Sequence, residues 1–335
     1  QWTENPRVGG SIPPPGTIPL NDCQARLRLL QSGRNLGGLM RFVAIGEAMI
    51  ELSGDGGEAW RMGVAGDTLN TAWYARALLP AGWSVDYLSR VGTDPFSDRI
   101  ARFLAAAGIG TAHLARDPAR GPGLYAITLA DGERSFTYWR GQSAARHLAD
   151  DAAALAAGLA GAGLVYLSGI TLAILAPDRR AALLAAVAAS GAPLAFDPNY
   201  RPRLWEGAEA ARDWCGRAAR AAAWVLPSAD DEATLFGDPS AAATLTRYRD
   251  WGAPEVVVKA GGGPVHLWDG TAVQVLEDLP RAAVVDSTGA GDSFNAGYLA
   301  ARLGGAAPGA AARAGHALAA KVVQGFGALV PAALA

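Results

Sequence analysis

The sequence is poor in the residues that staple, ligate or anchor. Two cysteines, Cys23 and Cys215, among 335 residues cannot build a disulfide framework and lack zinc-site spacing, which suits a reducing cytoplasm. Four histidines (His113, His147, His266 and His316) are scattered without metal-ligand spacing. Lysine plus arginine number 29 and aspartate plus glutamate 31, for a net charge of −2. No basic excess exists to draw the chain onto nucleic acid or an acidic membrane surface. The longest apolar stretches, such as 152–166, are Ala- and Gly-rich and too weakly hydrophobic for a membrane span. No Gly-x-Gly-x-x-Gly follows the first strand-like segment and no Gly-Lys-Ser/Thr occurs. Those two gaps argue against a nicotinamide dehydrogenase and against a Walker-type phosphate loop.

What remains is a globular composition, 50% hydrophobic and 18% charged, long enough for one large α/β domain or two modest ones. Residues 1–38 fit a folded domain poorly. Breaker clusters at Ser11-Ile12-Pro13-Pro14-Pro15-Gly16 and around Ser32-Gly33-Arg34-Asn35 flank a short amphipathic stretch at 23–30. No basic start with an apolar run and a cleavage site marks a secretory signal. The expectation is an extension over residues 1–39 and a single domain over 40–335 that opens at Met40.

From Met40 onward, apolar strand-like runs at 42–45, 85–91, 164–167, 194–196, 224–226 and 255–258 alternate with helical stretches. The helices are expected at 68–79, 98–107, 179–189, 210–219 and 241–250. That rhythm predicts an α/β fold with a mainly parallel sheet covered by helices on both faces. Two places break it: 49–53 with 60–64, and 123–129 with 135–139, read as strand pairs without a helix between. Ala130-Asp131-Gly132-Glu133 supplies a hairpin turn for the second pair. A small β element built from two parts of the chain is therefore expected beside the core.

The chemistry is expected in the run Val284-Val285-Asp286-Ser287-Thr288-Gly289-Ala290-Gly291-Asp292-Ser293-Phe294-Asn295. A strand-like start passes through small residues into a helix at 290–303. Small residues let backbone N–H groups approach a ligand, and a helix N-terminus adds unpaired donors and a positive dipole end. Asp292 falls in the first turn, within reach of a hydroxyl held beside that anion hole. Alone, the segment is equally a Gly-rich strand–helix turn with a carboxylate at the helix start.

The segment resembles the C-terminal signature of the ribokinase-like (PfkB) sugar kinases, Asp-Thr-x-Gly-Ala-Gly-Asp. Ala65-Gly66-Asp67-Thr68-Leu69-Asn70 resembles that family's N-terminal Gly-Gly-x-x-x-Asn segment. The resemblance runs from about Met40 to the C-terminus. It implies a ribokinase-like αβα sandwich with a small β-sheet lid near 47–65 and 121–142, and an ATP-dependent phosphotransferase. Asp292 would then be the general base, and the N–H groups of Gly289, Ala290 and Gly291 would stabilise charge on the transferring phosphoryl group. Asn199, Ser228, Lys259, Gly261 and Gly263 would line the nucleotide side, with Gly289 and Gly291. Mg2+ would bridge the ATP phosphates, with Asp231 or Glu232 standing where the family carries Asn-x-x-Glu. Asp286 is the candidate ligand for a monovalent cation such as K+.

The words Ile45-Gly46-Glu47-Ala48-Met49-Ile50-Glu51-Leu52, Tyr138-Trp139-Arg140 and Asn199-Tyr200-Arg201-Pro202-Arg203-Leu204-Trp205 resemble the 2-keto-3-deoxygluconate kinases within that family. The likeness implies that Gly66, Asp67, Asn70, Tyr125, Tyr138, Arg140 and Arg201 hold an acid sugar. One or both arginines would neutralise its carboxylate, while its 6-hydroxyl points at Asp292. Ala65 and Ser287 depart from the usual Gly and Thr. The rivals are a neutral-sugar kinase of fructokinase or ribokinase type, and a non-catalytic sugar-binding relative. Neither nucleic acid nor membrane is expected as a partner, and an exposed lid edge would pair copies into a homo-oligomer.

Overall fold

Phe42-Val43-Ala44-Ile45 is apolar at every position, which a strand satisfies only when both of its faces are covered. The computed structural model, which describes residues 40–54, 57–130 and 133–335, builds the domain around that strand. The expectations for 1–39, the short helix at 23–30 included, and for Asp131 and Gly132 at the hairpin tip lie outside the described residues. In chain order the strands are β1 (Met40–Ile45), β2 (Met49–Gly54), β3 (Trp60–Ala65), β4 (Trp83–Gly92), β5 (Leu114–Asp117), β6 (Gly123–Ala130) and β7 (Glu133–Trp139). They continue as β8 (Ala162–Ser168), β9 (Leu194–Asp197), β10 (Trp224–Val225), β11 (Glu255–Val258), β12 (Val265–Trp268) and β13 (Val273–Leu276).

The α-helices are α1 (Asp67–Leu78), α2 (Pro95–Ala106), α3 (Ala152–Leu159), α4 (Gly169–Ala173) and α5 (Pro177–Ser190). After them come α6 (Ala208–Ala221), α7 (Ala229–Phe236), α8 (Ala241–Asp250), α9 (Ala290–Leu303) and α10 (Pro308–Val322). Local chemistry sets several starts. Asp94 accepts from the N–H groups of Phe96 and Ser97 with Pro95 opening α2, and Ser168 accepts from Thr171 to open α4.

The large sheet has the order β13-β12-β11-β10-β9-β8-β1-β4-β5. It is parallel from β5 to β11, with β12 and β13 added antiparallel at one edge. Alternate residues of each central strand face opposite helix layers. Phe42, Ala44, Tyr166 and Val257 pack with Leu69 and Tyr74 of α1 and Phe294 and Tyr298 of α9. Val43, Ile45, Val165 and Val258 pack with Leu183 of α5, Cys215 of α6 and Leu245 of α8. The chain leaves β1 for β4 on one side and later fills β8 on the other, so a crevice opens at the carboxyl ends of β1 and β8, where open α/β sheets bind ligands.

The two helix-free strand pairs join into a four-stranded sheet of order β3-β2-β6-β7. Its hairpins are antiparallel and meet along a parallel β2–β6 pairing. Residues directly opposite one another share a face, so the pairs Glu51–Tyr125 and Tyr125–Tyr138 put these three side chains in one row. Leu52, Leu124, Ala126 and Trp139 lie on the other face, where Trp60 and Trp139 are 43% and 58% exposed.

One expected element differs. The strand-like start at 284–286 forms no strand; residues 277–289 run irregularly into α9. No neighbouring strand is there to pair with it, and Val284 and Val285 face solvent at 66% and 49% exposure. The N–H groups of Val285 and Asp286 both donate to Val323 O, at 2.7 and 3.1 Å, just past the end of α10.

Candidate active site

The carboxyl ends of β9 and β11 meet the start of α9 through Asp197 and Lys259, both bonded to Asn295. Gly289 caps that helix with φ +76°, and a Cβ there would lie 2.7 Å from Ala328 O and 2.8 Å from Ala328 Cα. Glycine is the residue that reaches this turn without strain or collision. Ala290 N–H donates to Ser287 O at 3.2 Å, whereas the N–H groups of Gly291 and Asp292 meet no acceptor among the described residues. Of the three donors the signature suggests, Ala290 N–H is therefore engaged, while Gly289 N–H, like that of Gly291, meets no acceptor among the described residues.

Asp292, half-buried in that turn, is fixed twice by α1. Asn70 Nδ2 donates to its Oδ2 at 2.8 Å, and Thr71 Oγ1 donates to its backbone oxygen at 3.2 Å. Burial raises the Asp292 carboxyl from 3.8 to about 8, and the negative charges of Asp67 and Asp197 push the same way. The Asn70 hydrogen bond and the charge of Lys259 pull against them. A carboxylate poised near neutral pH, beside open backbone donors, suits a general base for a hydroxyl.

Behind this turn runs a buried polar network. Lys259, at the end of β11, donates to Asp197 Oδ2 at 2.8 Å and to Asn295 Oδ1 at 2.9 Å. Asn295 donates in turn to Asp197 Oδ2 and to Tyr166 OH, which lies 3.2 Å from Thr71 Oγ1. The other Asp197 oxygen accepts from Asn199 N–H at 3.1 Å, holding Asn199 at φ +35°, a left-handed geometry that asparagine tolerates. Asn199 then donates to Asp67 Oδ2 at 3.0 Å. One carboxylate therefore ties together the strand-end lysine, the catalytic helix and the loop that leads to Arg201.

On the acceptor side, Gly66 precedes α1 and lies against the backbone of Glu47, and Asp67 and Asn70 stand on the first turn of α1. Tyr125 donates to Glu51 Oε2, and its ring lies 5.7 Å from that of Tyr138, which is 48% exposed. Burial and the charges of Glu51 and Asp292 both raise the Tyr125 hydroxyl, which therefore stays a neutral donor. Both expected arginines have carboxylate partners. Arg140, buried, gives Nε at 2.8 Å and Nη2 to Glu47 Oε2. Arg201, half-exposed, uses only Nη1, toward Tyr200 O and Asp231.

The expected nucleotide-side residues gather at the ends of β9, β10 and β11. Ser228 and Lys259 form a bridge, Ala229 N–H donates to Lys259 O, and Gly261 takes φ +56°. A turn closes there, with Gly263 N–H on Ala260 O. The three acids expected near cations are all engaged by the fold. Glu232 is fully buried and accepts from Arg247 and from Tyr248, 2.9 Å away; burial raises it to about 7. Asp231 accepts from Arg201. Asp286 accepts from Thr288 N–H and Oγ1 and from Gly327 N–H, bracing the turn before α9. Among the described residues, no group of three or more His, Cys, Asp or Glu is placed to hold a metal ion.

Sequence reasoning passed over Glu47, Thr71, Tyr166, Asp197 and Asn295 as individual site residues. Asp197 and Asn295 carried a faint signal: a lone acid ending the apolar strand Leu194-Ala195-Phe196, and an amide one turn past Asp292.

The family model described as "pfkB family carbohydrate kinase" matches residues 40–333. The chain is 41% identical to the 2-dehydro-3-deoxygluconokinase of Dickeya dadantii (strain 3937), over 86% of this chain and 96% of that protein. It is 39% identical to the 2-dehydro-3-deoxygluconokinase of Escherichia coli (strain K12), over 87% of this chain and 97% of that one. Among solved structures, a PfkB protein from Polaromonas sp. JS666 superposes with a TM-score of 0.76 at 30% identity, covering 89% of this chain and 99% of its own.

Proposed function

The chain belongs to the pfkB family of carbohydrate kinases, and from that premise we propose that it transfers the terminal phosphoryl group of ATP to the 6-hydroxyl of 2-keto-3-deoxygluconate. The observation that carries the reading is the pair of near-full-length relatives named for that activity at about 40% identity. Asp292 takes the proton from the acceptor hydroxyl as it attacks. The open N–H groups of Gly291 and Asp292, with the helix end behind them, receive the charge that develops on the phosphoryl oxygens. Lys259 stands beside this hole, 3.7 Å from where a Gly291 side chain would begin. Gly66, Asp67, Asn70, Tyr125 and Tyr138 surround the acceptor in this proposal. Arg201 meets its carboxylate, since its Nε and Nη2 donors have no partner among the described residues and form the edge that pairs side-on with a carboxylate.

A divalent cation on the ATP phosphates would offset their charge, and the donor set fits one held mainly through phosphate and water. Asp197 is neutralised by Lys259 and Glu232 by Arg247; Asp231, paired with Arg201 but about a quarter exposed, is the acid that would reach a hydrated Mg2+. Asn199, Ser228, Gly261 and Gly263 would line the nucleotide, and the turn braced by Asp286 would be the place for K+. We also place the enzyme in the cytoplasm and its lid's outer face against a second copy. No helix among the described residues is long and apolar enough to cross a membrane.

One observation favours the neutral-sugar rival: both arginines already have acidic partners. An ATP-coupled acceptor screen decides between them. The proposal expects turnover of keto-deoxy sugar acids well above that of fructose or ribose, and Arg201→Ala should cut kcat/KM for the acid by about tenfold or more while sparing a neutral sugar. Equal turnover of acid and neutral sugars would overturn it.

A further inference from the structure

The lid joins the core at four points of the chain, and all four meet at Glu47. This residue lies between β1 of the core and β2 of the lid and is 1% exposed. Gly66, where β3 returns to the core, packs on its backbone: a Cβ there would lie 2.2 Å from Glu47 O. Gly123, where the chain enters β6, packs on its carboxylate: a Cβ would lie 2.6 Å from Oε1. Arg140, where the chain leaves β7, is 9% exposed and donates twice to Oε2. The remaining oxygen, Oε1, is buried with no hydrogen-bond partner among the described residues.

A buried carboxylate with one oxygen unpartnered among the described residues is a costly group to keep, and Glu47 caps no helix. It does border the acceptor segment. Tyr87 OH bonds Thr68 Oγ1 at 2.9 Å, next to Asp67; burial raises this hydroxyl, and the charges of Asp67 and Glu47 push the same way. We propose that Glu47 is a positioning residue for acceptor binding, acting through Arg140 and the two glycines to fix the root of the lid over the acceptor segment. The inference rests on the kinase reading but not on the choice of acid sugar, because a lid root serves any acceptor. It also gives Arg140 a defined posture, with the Nε–Nη2 edge held by Glu47 and its charge offset there.

The test is a steady-state comparison of Glu47→Gln, Arg140→Met, the double variant and Gly123→Ala, on whichever acceptor the wild-type chain phosphorylates. Each single charge change should raise the acceptor KM by about tenfold or more, the size of a lost charged hydrogen bond, with kcat within about threefold. The KM for ATP should hold. The double variant should lose no more than the worse single, because each single change strands one buried charge and the pair strands none. Gly123→Ala displaces Oε1 without altering a charge and should show the same KM signature, which covers a Glu47→Gln protein that fails to fold. Multiplying losses in the double variant, an unchanged acceptor KM in Glu47→Gln or Gly123→Ala, or a loss carried by kcat would each overturn the assignment. A wild-type chain that phosphorylates no sugar overturns the kinase reading itself, and this inference with it.

Discussion

Replacing Asp292 with asparagine should make the protein more stable and nearly inactive at the same time. The fold raises this carboxyl from 3.8 to about 8, so the native state holds its proton more tightly than the unfolded chain does. The ionised form is the one penalised. The cost is therefore absent below about pH 4, grows as pH rises, and is complete above about pH 8. At pH 7 the gap between the ordinary value and neutrality amounts to about 4 kcal/mol. Solvent screening of a half-buried group cuts that to about 2 kcal/mol. Asparagine keeps the shape and can still accept from Asn70, but carries no charge to penalise. The expected outcome is a Tm higher by roughly 3 °C near pH 7, for a domain of this length. Turnover should fall by about a hundredfold or more with the loss of the base. Thermal unfolding of both proteins between pH 5 and pH 8.5 reads the first effect and ADP release reads the second. A Tm difference that stays flat with pH, or a variant less stable than its parent, would refute the electrostatic account. Retained turnover would refute the role of the base.

Asp67→Asn removes a like charge facing Asp292, so the acid limb of the kcat/KM profile should move to lower pH; Lys259→Met removes an opposing charge and should move it higher. Gly289→Ala forces a side chain into a φ of +76° and against the backbone of Ala328. It should lower Tm by several degrees and kcat by about a hundredfold through a displaced first turn. Gly291→Ala, whose Cβ would meet only Lys259 Nζ at 3.7 Å, should leave Tm unchanged. Trp139→Glu places a charge on the apolar outer face of the lid; the proposed lid pairing expects the parent to sediment as an assembly and the variant as a single chain.

Much of the framework was legible because its signals are local. The helix at 241–250 and the strand at 255–258 match to the residue: Ser240 caps the helix by accepting from Ala243 N–H, and the strand is apolar after its first residue. The two β pairs of the lid were readable as strand pairs with no helix between them, the second with a hairpin turn. β5, β12 and β13, all four-residue strands, went unassigned, as did α3, α4, α7 and α10. In the site, Asp292, Gly289 and Asn70 stand in recognisable words, whereas the contacts that hold them do not. Glu47 meets Arg140 across 93 residues of chain, and Asp197 meets Asn295 across 98. A lone acid at the end of an apolar strand looks like any turn residue until the sheet brings its partners. Nor does the sequence state that Arg201 spends one nitrogen on Asp231 and keeps its other edge free, a matter of rotamer and loop geometry.

The double duty of Asp197 bears on how such an enzyme could be redesigned. One of its oxygens shapes the loop carrying Asn199 and the other holds Lys259 and Asn295. Rewriting the 197–201 segment to admit a new acceptor would therefore also disturb the phosphate-side lysine, trading rate for scope. The lid row of Tyr125 and Tyr138 makes no hydrogen bond to that network. Libraries aimed at new acceptors should vary the lid strands and leave the strand-end carboxylate untouched.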